Sequence, residues 1–147
     1  DDINGEFLLI FNTISVEAEY VASSALLTND SITSKSTYDF SAFNGSVSWF
    51  ITGEHKNYVK SKTYFDRVTP NKNLGENGGF GAFELALRYS HVNLDDADIV
   101  GGVMDDITFG VNWYLNPATR VMFNYVHSNV KNLGKANIFQ IRFQVAF

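Results

Sequence analysis

The last eleven residues alternate almost without fault, and that period restricts the fold more than any other feature of the chain. In Asn137-Ile138-Phe139-Gln140-Ile141-Arg142-Phe143-Gln144-Val145-Ala146-Phe147, one side of an extended strand carries Phe139, Ile141, Phe143, Val145 and Phe147. The other carries Gln140, Arg142, Gln144 and Ala146. Successive side chains of a strand point to opposite faces, so the segment has one apolar and one wet side.

A soluble sandwich also alternates, but it seldom ends flush on a large exposed aromatic. A final strand closing on a terminal phenylalanine is the ending of bacterial outer-membrane β-barrels, and a membrane pore is the expectation it raises. Composition agrees. Aromatics make up 15% of the chain, with Phe 13 and Tyr 7, heavy for a soluble domain of 147 residues. No run approaches the roughly 18 apolar residues of a membrane-spanning helix. A membrane protein without one has to be a closed barrel, because only helices and barrels satisfy their backbone groups in lipid. The cysteine count of 0 excludes a disulfide scaffold, a thiolate metal site and a cysteine nucleophile. A net charge of -5 with no basic aromatic stripe argues against nucleic acid. It leaves an anion pore open, since permeation depends on the charges lining the lumen. Asp1 is not an initiator methionine, so a processed chain or a piece of a longer one is expected.

The alternation recurs upstream and predicts seven strands, at about 6–12, 14–26, 37–53, 81–93, 106–115, 119–130 and 137–147. Phe83, Leu85, Leu87 and Tyr89 oppose Glu84, Ala86, Arg88 and Ser90. Ile107, Phe109, Val111, Trp113 and Leu115 oppose Thr108, Gly110, Asn112 and Tyr114. Val121, Phe123 and Tyr125 oppose Arg120, Met122 and Asn124. Val47, Trp49 and Ile51 oppose Ser46, Ser48 and Thr52, with Phe50 off-pattern on the wet side. The first segment is short and apolar on both faces.

Asn116-Pro117-Ala118-Thr119 reads as a tight turn, and Asp95–Asp105 and Lys131–Ala136 as longer loops. Outer-membrane barrels have short periplasmic turns and long outer loops. With the C-terminus periplasmic, Trp113, Phe83 and Phe147 fall at the periplasmic end. Tyr89, Phe109, Tyr125 and Phe139 fall higher, which makes two aromatic girdles, with Trp49 among the membrane-facing residues. Glu54–Phe80 breaks the rule as a long periplasmic connection, or else hides a further strand near 57–68.

Several segments now resemble a known family. These are Trp49-Phe50-Ile51-Thr52-Gly53-Glu54, Arg67-Val68-Thr69-Pro70, Gly78–Ser90, Gly110–Pro117, Arg120–His127 and Phe139–Phe147. Together, from about residue 45 onward, they are similar to the phosphate-selective porin O and P family. The resemblance implies an all-β, antiparallel transmembrane β-barrel of 16 strands, of which this chain supplies about seven as its C-terminal part. It implies a homotrimer in the bacterial outer membrane, in contact with lipid and lipopolysaccharide, that passes phosphate or other small anions passively. No cofactor is implied.

Lys56, Lys60, Lys62, Arg67 and Lys72 of the long connection are then candidates for an anion-collecting vestibule, lysine being a hydrated and flexible point charge. An ordinary solvated turn explains them equally well. Arg88, Arg120 and Arg142 on the wet faces either line the path or brace the wall against Glu84, Glu17 and Glu19. The carboxylates Asp95, Asp96, Asp98, Asp105 and Asp106 do not have the spacing of a calcium loop, and a solvated loop is expected there. His55, His91 and His127 are too scattered to ligate a metal. Gly75, Gly78, Gly79 and Gly81 precede a strand rather than a helix, which rules out a dinucleotide fingerprint. No serine, histidine and acid constellation appears, so no enzyme is expected. A self-contained eight-stranded barrel of structural or adhesive role is the rival, and a soluble lipocalin-like barrel with its bulky residues inward is the second.

Overall fold

The computed structural model describes residues 1–28, 35–59, 61 and 64–146. Its main body is one antiparallel sheet of seven strands: β1 (Asp2–Phe11), β2 (Ile14–Thr28), β3 (Lys35–Phe50), β6 (Ala82–Asp96), β7 (Ile99–Asn116), β8 (Thr119–Val130) and β9 (Gly134–Val145). Each strand pairs with its sequence neighbours in the order β1-β2-β3-β6-β7-β8-β9, so β1 and β9 form its two edges. Two short strands, β4 (Tyr58–Val59) and β5 (Tyr64–Phe65), pair only with each other, inside the connection from β3 to β6.

The strand expected near 57–68 is therefore a small hairpin outside the main sheet. An eight-stranded wall made by promoting those residues is not what the described residues form. Two loops also differ from expectation. Asp95–Asp105 is mostly paired strand, with β6 and β7 joined by a tight turn at Ala97-Asp98. Lys131–Ala136 likewise shrinks to a three-residue turn before β9. Side-chain hydrogen bonds hold strand geometry where polar composition alone reads as loop. Asp95 accepts from the Gly102 amide at 2.7 Å, Asp96 from the Asp39 amide at 2.7 Å, and Asp98 from the Tyr38 hydroxyl at 2.8 Å. The carboxylates thus replace the missing apolar drive with backbone and cross-strand contacts.

The first segment is a full strand. β1 pairs residue for residue with β2 from Asp2↔Ser23 to Phe11↔Ile14, and Asn12 turns the chain in the left-handed region at φ 53. The turns at Asn12-Thr13 and Pro117-Ala118 and the long connection all lie at one end of the sheet, since the strands are antiparallel and consecutive. Ala97-Asp98 and Lys131–Leu133 lie at the other end.

Register sorts the side chains into two faces. Across Trp49↔Leu85, Leu87↔Phe109, Phe109↔Tyr125 and Tyr125↔Phe139 runs the apolar face. Across Ser48↔Ala86, Glu84↔Asn112, Gly110↔Asn124 and Asn124↔Gln140 runs the polar one. A normal core would bury the bulky face, yet Phe139 is 80% and Ile141 74% exposed. The small buried cluster sits instead on the polar face, near the long connection: Phe50, Val68, Ala82 and Tyr114. Phe50, off-pattern in the sequence, is 1% exposed there and packs its ring 5.8 Å from that of Tyr114.

Candidate functional site

The long connection does not hang free. It folds back over the polar face at the short-turn end, where Val68 and Pro70 are buried. Glu54, itself 5% exposed, ties its start to its middle by accepting from the Thr52 hydroxyl and from the Asn71 amide. The Thr52 hydroxyl also accepts from the Phe83 amide at 3.0 Å, which brings both ends of the connection together. Leu74 donates its amide to the Leu115 carbonyl at 2.8 Å. Gly81 closes the loop at φ +78, where an added Cβ would lie 2.2 Å from the Tyr114 carbonyl oxygen. Only glycine fits that approach.

From this seat Lys56 reaches the sheet. Its Nζ lies 2.8 Å from Glu17 and 3.5 Å from Glu84, and 5.3 Å from the centroid of the Phe65 ring. Glu84 is nearly fully buried and accepts two more hydrogen bonds, from Asn112 Nδ2 at 2.8 Å and the Tyr114 hydroxyl at 2.9 Å. Arg120 continues the line. Its guanidinium stands 5.7 Å from the Tyr114 ring centroid, donates to the Tyr114 hydroxyl at 3.4 Å, and makes two bonds to Gln144 Oε1 at 3.1 and 2.9 Å. A polar belt Glu17–Lys56–Glu84–Tyr114–Arg120–Gln144 thus crosses the sheet from β2 to β9. Such a network is costly unless every member is satisfied, and here each is hydrogen-bonded.

The belt itself lines a cavity of about 480 Å³, together with Arg67, Asn116 and others toward the short turn. The expected cations therefore divide. Lys56 and Arg120 are committed to the wall, Lys56 to the two carboxylates and Arg120 through Tyr114 and Gln144. Arg67 faces the cavity and is exposed, Lys72 is exposed on the connection, and Arg88 and Arg142 are exposed on the polar face. Among the described residues none of these four makes an ion pair. Lys60 and Lys62 lie outside the described residues. Among the described residues no arginine pairs directly with these carboxylates: Glu17 and Glu84 pair with Lys56, and Glu19 accepts from Asn44 at 2.9 Å. Sequence reasoning missed this pairing because Lys56 lies far along the chain from both partners. The signal was the pair of aromatics, Phe50 and Tyr114, standing on an otherwise wet face.

Aromatic rings gather toward both ends of the apolar face. Phe83 and Trp113 stack at 5.5 Å with a 7° tilt near the short-turn end, with Trp49 on the same face. Toward the other end come Tyr89, Phe109, Tyr125 and Phe139, with the Tyr125 and Phe139 rings 4.9 Å apart. Phe147 lies outside the described residues. The upper tyrosines point their hydroxyls into a polar row: Tyr89 donates to Asp105 at 2.7 Å and Tyr125 to Asn137 at 3.0 Å. His91 meets the same Asp105 at 2.8 Å, and His127 the same Asn137 at 2.7 Å. Amphipathic rings with a wet tip and an apolar body are what a membrane boundary selects. These contacts also give His91, His127 and Asp105 their places, and no group of metal-ligating side chains forms among the described residues.

Comparison with known proteins fits this geometry. The model of the family described as "Phosphate-selective porin O and P" matches residues 1–147, which takes in the first 44 residues as well. A stretch of 79 residues, 54% of this chain, is 34% identical to an uncharacterized protein of Caulobacter vibrioides and covers 15% of it. Another of 100 residues, 62% of this chain, is 28% identical to Porin O of Pseudomonas aeruginosa and covers 22% of it. The matched stretches thus cover less than a quarter of the length of these relatives. With an antiparallel sheet, one face apolar and the other polar, and a family match along its whole length, the chain belongs to the phosphate-selective porin O and P family.

Proposed function

We propose that these residues form the C-terminal part of the wall of an anion-conducting porin in the bacterial outer membrane. The whole protein would be a homotrimer of 16-stranded barrels that passes phosphate or other small anions by passive diffusion. The observation that carries this reading is the exposed apolar face opposite a polar one. Ile107 to Leu115 runs about 27 Å at ~3.4 Å per residue. At a tilt of ~40° that is about 21 Å along the membrane normal, close to the ~25 Å apolar band of such barrels. Lipid and lipopolysaccharide then cover the apolar face, and the polar face borders water.

Anion preference falls to the cations that keep their charge free: Arg67, Lys72, Arg88 and Arg142. They raise the local anion concentration without binding it tightly, which conduction requires. Glu17 and Glu84 do not oppose this, because Lys56 and Arg120 in the same belt balance their two charges.

The test is the reversal potential of the full-length protein in planar bilayers under a salt gradient, with chloride and then phosphate as the anion. An anion-selective sign is expected. Replacing both Arg88 and Arg142 with glutamine is expected to lower the anion-to-cation permeability ratio about threefold. A cation-selective pore, or a ratio indifferent to those arginines, would refute the assignment.

A further inference from the structure

The polar face holds a second cavity, of about 460 Å³, above the belt and away from the long connection. Its floor is made of small residues, Ala86 and Gly110; a Cβ added at Gly110 would lie 2.9 Å from Asn124 Oδ1. Its rim carries one cation and one anion, Arg88 and Asp106. In register, Arg88 stands opposite Thr108 and Ser90 opposite Asp106, so the two charges are diagonal neighbours on adjacent strands. Diagonal pairs on one face sit about 7–8 Å apart.

Neither charge is used. Among the described residues Arg88 makes no ion pair, and the Asp106 Oδ1 atom is buried without a hydrogen-bond partner. A buried carboxylate oxygen left unpaired is costly, and such orphans concentrate where something else comes to satisfy them. A purely anionic solute would gain from Arg88 and lose to Asp106 beside it. A solute with an ammonium and a carboxylate a few ångströms apart gains from both. Ser46, Thr108, Asn124 and Gln140 line the same groove and offer hydrogen bonds to either group.

Resting on the pore proposed above, we propose that Arg88 and Asp106 form a wall site for small zwitterions of the α-amino-acid class. Arg88 takes the carboxylate and Asp106 the ammonium. The site gives the pore a second class of permeant beside inorganic anions.

Liposome swelling with the full-length protein tests this, using free alanine against glycerol as a neutral solute of similar size. The alanine-to-glycerol rate ratio is expected to fall about threefold in D106N and in R88Q, with little further loss in the double variant. Glycerol entry confirms that each variant pore has folded, and R88Q carries the test should D106N not assemble. A ratio unmoved by either substitution, or lowered by R88Q but raised by D106N, overturns the site while leaving the pore intact. A wild-type protein that admits neither solute nor ions overturns the pore, and the site with it.

Discussion

Replacing Lys56 with methionine is expected to release the connection between β3 and β6 from the polar face. Lys56 is the point where that connection is ionically fastened to the sheet, with Glu17 on β2 and Glu84 on β6 as its partners. Removing one member of a buried ion pair costs about 3–5 kcal/mol, because the charge left behind has neither partner nor water. Glu84 is that charge, with 3% of its side chain exposed. Lys56 and Glu17 keep 21% and 35% exposure, so solvent returns part of the loss and about 2–3 kcal/mol is expected. The double variant K56M/E84Q should regain most of it, since glutamine removes the stranded charge while an amide oxygen still accepts from Asn112 and Tyr114. The measurements are denaturant unfolding of the full-length protein in detergent and its trypsin sensitivity at Arg67 and Lys72. Faster cleavage in K56M that E84Q reverses is the expected pattern. Cleavage equal to wild type would show that Val68, Phe50 and Tyr114 hold the segment without the ion pair.

The second large effect belongs to the apolar face. Phe123 lies opposite Val111 on one side and Ile141 on the other, in the middle of the apolar band. An arginine at the lipid midplane of a barrel costs about 2–4 kcal/mol. F123R should lose that much stability in bilayers or native-like detergent, whereas N124R, one residue along on the polar face, should lose about 0–1 kcal/mol. Equal losses at the two neighbours would mean that both faces meet the same medium. The contrast is sharp because a strand reverses face with every residue.

Most of the fold was legible because alternation is itself the physical cause of the two faces. Phe83 to Tyr89, Ile107 to Leu115 and Phe139 to Val145 each read as a strand with its apolar residues on one face, and the register confirms that face. The sequence reading failed at the outer ends, where Asp95, Asp96 and Asp98 look like loop residues. Their carboxylates hold backbone amides and a tyrosine hydroxyl, contacts that composition does not reveal. It fell short as well in the long connection. There the fold depends on pairings such as Glu54 with Asn71 and Lys56 with Glu17, and neither has a period to betray it. The charged candidates stand out in the sequence by residue type alone. Which of them stay free and which are spent on the wall is a matter of tertiary contact alone.

The medium at each face is the claim on which all of this stands, and thiol labelling measures it directly. The chain has 0 cysteines, so single replacements at Phe123 and Asn124 report their own surroundings, in a full-length background cleared of other thiols. In intact outer membranes a small aqueous maleimide is expected to label N124C and to spare F123C, which a lipid-soluble reagent should reach instead. F123C labelled by the aqueous reagent would put the bulky residues in water, and F123C spared by both reagents would put them in the core of a soluble barrel; either result contradicts the pore.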